Sequence, residues 1–186
     1  MQLEVLSTIT ANDPDRRHCC IHLQHWFDYR GHVCIVFEKL GMSLYDFMHK
    51  NAFRPFPLDI VQHFARQMLR ALVFLHSLSV VHTDLKPENM LLSSSEHTKL
   101  DKEKYSKLGC RVPVNPSMRV IDFGSATFEE DRHSTVVSTR HYRAPEVRTL
   151  LWKYSACNLA VPRCSCKGKM CPLPCQKSHI RSVLKP

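Results

Sequence analysis

The most restrictive feature of this 186-residue sequence is a set of three short motifs in a fixed order. HTDLKPEN occupies residues 82–89, DFG occupies 122–124 and APE occupies 144–146. The first two follow short apolar stretches that are typical of β-strands. Each motif alone arises often by chance, but the ordered set is a specific signal. The set therefore predicts one site that is assembled from distant parts of the chain.

The set resembles the signature motifs of protein kinases, whose phosphoryl-transfer reaction requires alignment and charge neutralisation more than covalent help. Asp84 would orient a substrate hydroxyl and accept its proton, and Lys86 would stabilise charge on the transferred phosphate. Asn89 and Asp122 supply the hard oxygen ligands that Mg²⁺ prefers. Gly124 would allow a sharp backbone turn after the metal ligand. Asp84, Lys86 and Asn89 are therefore the predicted catalytic residues, and Asn89 and Asp122 the predicted metal ligands.

Hydrophobic periodicity predicts a mixture of helices and strands before the second motif. A helix should end within Leu3–Leu6, and strands at Cys20–Phe27 and His32–Glu38 should form an antiparallel hairpin. Ser43 should cap a short helix that runs to about His49, because Asp46 stands three residues later. Pro57 opens a predicted buried helix at residues 58–76. Its wide apolar stripe consists of Ile60, Phe64, Met68 and Leu72, with Val61, Ala65, Leu69 and Val73 beside them.

Further along the chain, short strands are expected at Val80–Val81 and Arg119–Gly124. The polar, lysine-rich stretch Ser93–Ser117 predicts an insertion or an exposed hairpin. The stretch that leads to Val147 has the composition of a loop.

Composition limits the class of protein. Hydrophobic residues make up 44%, which is enough for a buried core. No apolar run approaches the roughly 18 residues needed to cross a membrane, and the first residues lack a signal-peptide pattern. A soluble protein without membrane contact is expected. The net charge is +9, but residues 148–186 contain eight Lys or Arg residues and no acidic residue. Because the charge belongs to one segment, direct nucleic-acid binding is not predicted.

That basic segment, 148–186, also contains Cys157, Cys164, Cys166, Cys171 and Cys175. A zinc site is one hypothesis, although the spacing lacks the usual C-x2-C pairs. A second hypothesis is that this basic tail binds RNA, but its few aromatic residues argue against this hypothesis. An alternative exon, a retained intron or a shifted frame explains the change of composition more simply. We expect this divergent tail to be unstructured.

Residues 3–147 resemble the central part of a LAMMER-type (Cdc-like) protein kinase. The similarity is specific, because it includes four distinctive runs: CIVFEKLGMSLYDF, HTDLKPEN, DFGSAT and VSTRHYRAPEV. The segment IVFEKLG-SLYDF resembles plant members most closely. The resemblance implies a partial protein kinase domain with an α+β fold. Residues 1–40 would be a small-lobe remnant with the hinge, and 41–147 part of the large lobe with an insertion at 93–117.

The resemblance also implies the cofactors ATP and Mg²⁺ and a nucleotide site. Phe37 would be the gatekeeper, and Glu38, Lys39 and Leu40 would form the hinge. Leu91 would lie beneath adenine, and Ser43 and Asp46 would lie beside the ribose. Ile121 would directly precede the metal ligand. The implied activity is phosphorylation of Ser and Thr, with Tyr as a further acceptor. The implied substrates are arginine/serine-rich splicing proteins, and the implied location is the nucleus, with the cytoplasm as a further location.

Two neighbours of Asp84 lead to separate predictions. His82 is predicted to stabilise the loop through internal hydrogen bonds rather than to act as an acid–base catalyst. Thr83 stands where most kinases have an Arg that binds a phosphorylated activation loop. Because Thr cannot make those paired bonds, phosphorylation within Ser125–Thr139 is not expected to activate the enzyme.

Departures from the family suggest a domain that is truncated at both ends. The sequence has no Gly-rich loop and no V-A-I-K strand, and the Glu that pairs with that strand's Lys aligns with Gln2. No D-x-W-x-x-G follows Val147. The isolated chain is therefore not expected to be an efficient kinase. The alternatives are a catalytically inactive isoform that acts as a binding module, and a non-functional splicing or gene-model product.

Overall fold

A computed structural model of the chain describes residues 2–100, 110–131, 137–144 and 147. The tail at 148–186 lies outside these residues, and so do the zinc and RNA hypotheses that concern it. Pro145 and Glu146 of the APE motif also lie outside them. Among the helices of the described ranges, none is long and apolar enough to cross a membrane.

Three helices and eight strands form the described part of the chain. The helices are α1 (Gln2–Asn12), α2 (Leu44–Lys50) and α3 (Leu58–Ser77). The strands are β1 (Leu23–Tyr29), β2 (His32–Phe37), β3 (Val80–Val81), β4 (Met90–Leu92), β5 (His97–Lys99), β6 (Arg111–Pro113), β7 (Met118–Val120) and β8 (Thr127–Phe128). They pair antiparallel as β1–β2, β3–β8, β4–β7 and β5–β6. Short 3₁₀ turns lie at Pro87–Asn89, Phe123–Ser125 and Arg140–Tyr142.

Three predicted boundaries were wrong. Helix α1 does not end within Leu3–Leu6 but continues to Asn12, because Ile9 extends its buried face by one more turn. Strand β1 begins at Leu23 rather than Cys20, and Cys20 instead forms an isolated bridge with Val120. The strand predicted at Arg119–Gly124 ends at Val120, because Asp122 adopts a left-handed conformation with φ of 62°.

The predicted stripe of α3 is only partly buried. Phe64 and Leu72 are buried as expected, whereas Val61 and Val73 are exposed. Gln67 is buried although its side chain is polar, because its amide Oε1 accepts a hydrogen bond from the Met118 N–H at 2.9 Å and its Nε2 donates one to the Pro116 carbonyl at 2.9 Å. Helix α3 is therefore fixed to the start of β7 by one amide group.

Two buried clusters support the motifs HTDLKPEN and DFG. The first joins α1, residues 19–21, α3 and Phe123, whose side chain is 1% exposed. The second joins α2, α3, β4 and β7. Burial of large apolar side chains in both clusters fixes the loops at 82–89 and 121–126 between helices.

Asp13 is a buried anchor between α1 and the residues that precede β1. Its carboxylate accepts hydrogen bonds from the backbone N–H groups of Arg17 and His18, at 2.9 and 3.1 Å. The rings of His18 and His22 bond the same carboxylate at 2.8 and 3.0 Å. Burial alone would raise the Asp13 pKa, but these four bonds outweigh it and lower the pKa to about 2. The carboxylate is therefore ionised and holds a tight turn.

The predicted exposed hairpin is present within Ser93–Ser117, as strands β5 and β6. Asn51, at the end of α2, holds it in place, because its amide bonds both the N–H and the carbonyl of Arg111 at 3.1 Å. Cys110 and Val112 are nevertheless buried, so the hairpin packs against the domain on one side.

Candidate active site

His82 joins the loop at 82–89 to the loop at 121–126. Its Nε2–H donates to the carbonyl oxygen of Ile121 at 2.9 Å, and its Nδ1 accepts the N–H of Asp84 at 3.2 Å. These partners require the neutral ring, and burial lowers the His82 pKa in agreement. The ring also packs against Phe123, with centroids 5.0 Å apart. The predicted internal hydrogen-bonding role of His82 is confirmed.

Asp84 and Lys86 form a partly buried ion pair. The Lys86 ammonium donates to Asp84 Oδ2 at 2.7 Å, and the two side chains are 20% and 18% exposed. The Asp84 carboxylate is thus accessible from one side, where a substrate hydroxyl could approach it.

Thr139 completes this group, although no role was predicted for it. Its Oγ1 donates to Asp84 Oδ1 at 2.6 Å, and its backbone N–H donates to the same oxygen at 3.0 Å. The Lys86 ammonium also donates to Thr139 Oγ1 at 3.0 Å. Burial raises the Asp84 pKa, but the bonds from Lys86 and Thr139 together lower it below its ordinary value. The hydrogen bond to Asp84 in turn raises the pKa of Lys86.

Asn89 directly precedes β4, and Asp122 follows two residues after β7, the strand that pairs with β4. Met90 pairs with Val120, and the Ile121 N–H donates to the Asn89 carbonyl at 3.0 Å. This register brings Asn89 and Asp122 to the same end of the pair. The Asn89 amide nitrogen donates to the Asp84 carbonyl at 2.9 Å and to Asp84 Oδ2 at 3.3 Å. Its Oδ1 is therefore the amide atom that could bind a cation.

The donor set at this end fits Mg²⁺. One amide oxygen and one carboxylate are ligands that Mg²⁺ accepts when phosphates and water complete its octahedron. Asp122 Oδ1 accepts the Gly124 N–H at 3.3 Å, which orients the carboxylate at the start of the turn. Gln2 of α1 lies beside this turn, because a Cβ built at Gly124 would be 3.9 Å from Gln2 Nε2.

The predicted adenine and ribose residues lie along a different edge. The Gly41 N–H donates to the Leu92 carbonyl at 2.7 Å, and the Leu92 N–H donates to the Met42 carbonyl at 3.0 Å. The segment after the predicted hinge therefore runs beside β4, with Ser43 in a bridge to Leu91. Leu40 packs against the first buried cluster. Their roles in nucleotide binding remain predictions.

Ser43 and Asp46 differ in what they offer a ligand. Ser43 Oγ caps α2 by accepting the Asp46 N–H at 3.0 Å, as predicted, and donates to Asp46 Oδ2 at 2.7 Å. Ser43 is buried, whereas Asp46 is exposed. Asp46 is therefore the more accessible of the two candidates for a ribose hydroxyl.

The Glu38 side chain points to a pair of arginines. Its carboxylate lies 3.3 Å from Arg16 Nη1 and 3.9 Å from Arg119 Nε. Arg119 also donates to the Arg16 carbonyl at 3.0 Å. The Glu38 carboxylate is therefore held by two arginines, and the backbone contact with adenine that the resemblance implies for Glu38 remains a prediction.

Sequence reasoning missed three residues of the site: Ser138, Thr139 and Arg143. All three lie in the run VSTRHYRAPEV, which carried the resemblance but received no chemical role. The residue types alone did not reveal that Thr139 lies against Asp84.

Comparisons with known proteins agree with this geometry. The family model of the protein kinase domain matches residues 11–156. Serine/threonine-protein kinase AFC1 of Arabidopsis thaliana is 48% identical over 154 residues, which cover 79% of this chain and 33% of that protein. Dual specificity protein kinase CLK1 of Mus musculus is 46% identical over 158 residues, covering 85% and 32%. Dual specificity protein kinase lkh1 of Schizosaccharomyces pombe is 49% identical over 157 residues, covering 83% and 22%.

The fold is also found among solved structures. A crystal structure of a kinase domain superimposes with a TM-score of 0.73 at 34% identity, covering 80% of this chain and 45% of that one. The chain spans about a third of the length of the first curated relatives that it matches. The predicted α+β kinase fold and the predicted resemblance are both confirmed. The chain belongs to the protein kinase family, and its relatives are the LAMMER-type (Cdc-like) kinases that its motifs indicated.

Proposed function

We propose that this chain carries the catalytic part of an ATP-dependent kinase for Ser and Thr, with Tyr as a further acceptor. The observation that supports this proposal most strongly is the bonding of Asp84 to both Lys86 and Thr139. The arrangement keeps a carboxylate ionised, oriented and partly exposed, which a residue that receives a proton from a hydroxyl requires.

Each residue has one part in the proposed reaction. Asp84 orients the substrate hydroxyl and receives its proton, while Lys86 supplies positive charge beside the reacting phosphate. Asn89 and Asp122 would hold Mg²⁺ through their side-chain oxygens. Bound Mg²⁺–ATP supplies the phosphoryl group. The backbone of Glu38 and Leu40 and the side chain of Leu91 would hold adenine.

The substrate class follows from the resemblance to LAMMER-type kinases. We propose arginine/serine-rich splicing proteins as substrates and the nucleus as the place of action. The proposal includes no membrane and no direct contact with nucleic acid.

Thermal-shift titration with ATP, with and without Mg²⁺, tests the nucleotide site directly. Wild type should be stabilised only when both are present, and Asp122→Ala should abolish the effect. Asp59→Ala removes an exposed carboxylate from α3 and should leave it intact. Equal stabilisation of wild type and Asp122→Ala would contradict the metal assignment.

A radiolabelled phosphate-transfer assay on an arginine/serine peptide then tests the reaction, with Asp84→Asn as the inactive control. Binding of Mg²⁺–ATP without any transfer would contradict the kinase proposal for this chain. That result would favour the alternative function, a catalytically inactive binding module.

A further inference from the structure

Glu38 belongs to a group of three charged side chains that joins the predicted hinge to strand β7. Its carboxylate lies 3.3 Å from Arg16 Nη1 and 3.9 Å from Arg119 Nε. The side chains of Glu38 and Arg119 are only 27% and 23% exposed, so salt and water screen this pair less than a fully exposed one. We name Arg16, Glu38 and Arg119 the hinge cluster.

Arg119 joins the cluster to the backbone as well as to the carboxylate. Its Nη1 donates to the Arg16 carbonyl at 3.0 Å, while its Nε faces the Glu38 carboxylate. A guanidinium can serve two acceptors in this way because it presents several N–H groups in a fixed plane. The three residues therefore form a network, which contributes more than an isolated exposed ion pair does.

The turn that carries Arg16 has a fixed shape. Arg16 has a φ of 54°, a left-handed conformation that residues other than Gly rarely adopt. Its N–H donates to the Asp13 carbonyl at 3.0 Å, and the Asp13 carboxylate accepts the N–H groups of Arg17 and His18. A backbone of this kind persists only where surrounding contacts impose it. The hinge cluster is thus attached to a well-held part of the chain.

Strand β7 is held between two neighbours. The Val120 N–H donates to the Cys19 carbonyl at 2.8 Å, and the Val120 carbonyl accepts the Ile21 N–H at 2.9 Å. On its other side β7 pairs with β4, where Arg119 lies opposite Leu91. Arg119 therefore connects the strand that leads to the DFG motif with the segment proposed to bind the edge of adenine.

We infer that Arg119 and Glu38 are positioning residues that attach the hinge to strand β7. The attachment fixes the hinge backbone, at the adenine end of the proposed site, relative to the DFG motif, at its metal end. A nucleotide that spans both ends then binds without having to order them first. This inference rests on the proposed function and deepens it, because it assigns part of the ATP affinity to side chains that bind no part of ATP.

Hydrogen exchange followed by NMR measures the attachment without any nucleotide. The reporter is the amide of Gly41, which directly follows the hinge and donates to the Leu92 carbonyl at 2.7 Å. Its exchange should accelerate roughly two- to fivefold in Glu38→Gln and in Arg119→Gln, because each variant removes the charge pair that holds the hinge. Glu38→Gln keeps the test decisive if Arg119→Gln does not fold, as circular dichroism would show.

Asp15→Asn is the matched control. It removes an ion pair with Arg17 from the same turn, and these two side chains are 64% and 77% exposed. Exchange of Gly41 should remain as in wild type. The double variant of Glu38→Gln and Arg119→Gln should exchange no faster than the faster single variant, because both changes remove one shared interaction. Unchanged exchange in the folded single variants, or effects that multiply in the double variant, would overturn the inference.

Nucleotide binding provides the second readout. In Arg119→Gln, KM for ATP should rise roughly two- to fivefold while kcat for the arginine/serine peptide is unchanged. An ion pair that only stabilised the fold would lower the melting temperature without changing KM, and that result would also overturn the inference. If wild type binds no Mg²⁺–ATP but shows the exchange pattern, the proposed nucleotide site is refuted and the attachment of the hinge to β7 stands.

Discussion

Thr139 donates two hydrogen bonds to the same oxygen of Asp84, from its hydroxyl at 2.6 Å and from its backbone N–H at 3.0 Å. The residues are 55 positions apart in the sequence. Because Lys86 donates to the other carboxylate oxygen, the ring of contacts fixes both the charge and the orientation of Asp84. A substrate hydroxyl would therefore meet a carboxylate that is already in place.

Replacement of Thr139 by Val should raise the Asp84 pKa. Burial raises this pKa and the hydroxyl of Thr139 is one of the groups that lower it, so its removal shifts the balance upward. The stability of the fold should fall by about 1 kcal/mol. An NMR titration of the Asp84 carboxyl carbon measures the shift. Thr139→Ser keeps the hydroxyl and should titrate as wild type does, and an unchanged pKa in Thr139→Val would contradict the prediction.

Stability should depend on pH through His82. Burial lowers the folded-state pKa of His82 below its ordinary value of 6.5. The negative charges of Asp122 and Asp84 raise this pKa, and the positive charge of Lys86 lowers it further. The unfolded chain therefore binds the proton first, so stability is full above pH 6.5 and falls as the pH drops toward the folded-state value.

Urea unfolding at pH 7.5 and 5.5 (both chosen about one unit from the ordinary value) measures this loss. His82→Gln should reduce the difference between the two free energies of unfolding, although it destabilises the fold at both. His25→Gln replaces an exposed histidine of β1 and should leave the difference as in wild type. The prediction is wrong if both variants retain the same pH dependence.

Asp13→Asn should cost the fold about 2 to 3 kcal/mol at pH 7. The buried carboxylate has a pKa of about 2, against 3.8 for an ordinary Asp, and each unit corresponds to about 1.4 kcal/mol. In wild type, the ionised Asp13 carboxylate stabilises the fold by this amount above pH 3.8, and the stabilisation is lost as the pH falls toward about 2. Chemical denaturation of both proteins at pH 7 tests the magnitude. Asp15→Asn, whose carboxylate is 64% exposed, is the matched control and should change little.

Gly41→Ala should destabilise the segment beside β4. A Cβ there would lie 2.6 Å from the Ser94 carbonyl carbon and 2.9 Å from the Leu92 oxygen, and both are backbone atoms that cannot move aside easily. We expect a loss of about 1 to 3 kcal/mol, together with weaker binding of ATP. Gly31→Asn is the control, because its φ of +77° suits Asn and no atom lies within 4 Å. Equal melting temperatures for the two variants would show that the close approach is unimportant.

The sequence was informative where chemistry is concentrated in a few neighbouring residues. The cap at Ser43 and the antiparallel pairing of β1 with β2 each depend on local residue types, and both were predicted correctly. Asp84, Lys86 and Asn89 belong to one loop of eight residues, so their proximity hardly depends on the rest of the fold.

Contacts between distant residues were not predictable in the same way. Nothing in the residue types shows that Thr139 would bind Asp84, since many hydroxyls are available in the loop. Val61 and Val73 continue the apolar stripe of α3, but periodicity does not show which parts of a wide stripe meet a partner. Asp122 ends its strand early through a left-handed backbone, and Asp is only moderately enriched there.

The short β4–β7 pair has a consequence for insertions and deletions in the gene. The Leu100 N–H donates to the Cys110 carbonyl at 2.9 Å, so a change in the number of residues between these two positions starts from ends that are already held together. Each doubling of the length between two joined positions costs only about 0.6 kcal/mol. Met90 would remain paired with Val120, and Asn89 and Asp122 would remain at the same end of the two strands. One residue inserted inside either strand would instead turn its side chains to the opposite face. Length variation should therefore be abundant in the hairpin and absent from the two three-residue strands that flank it.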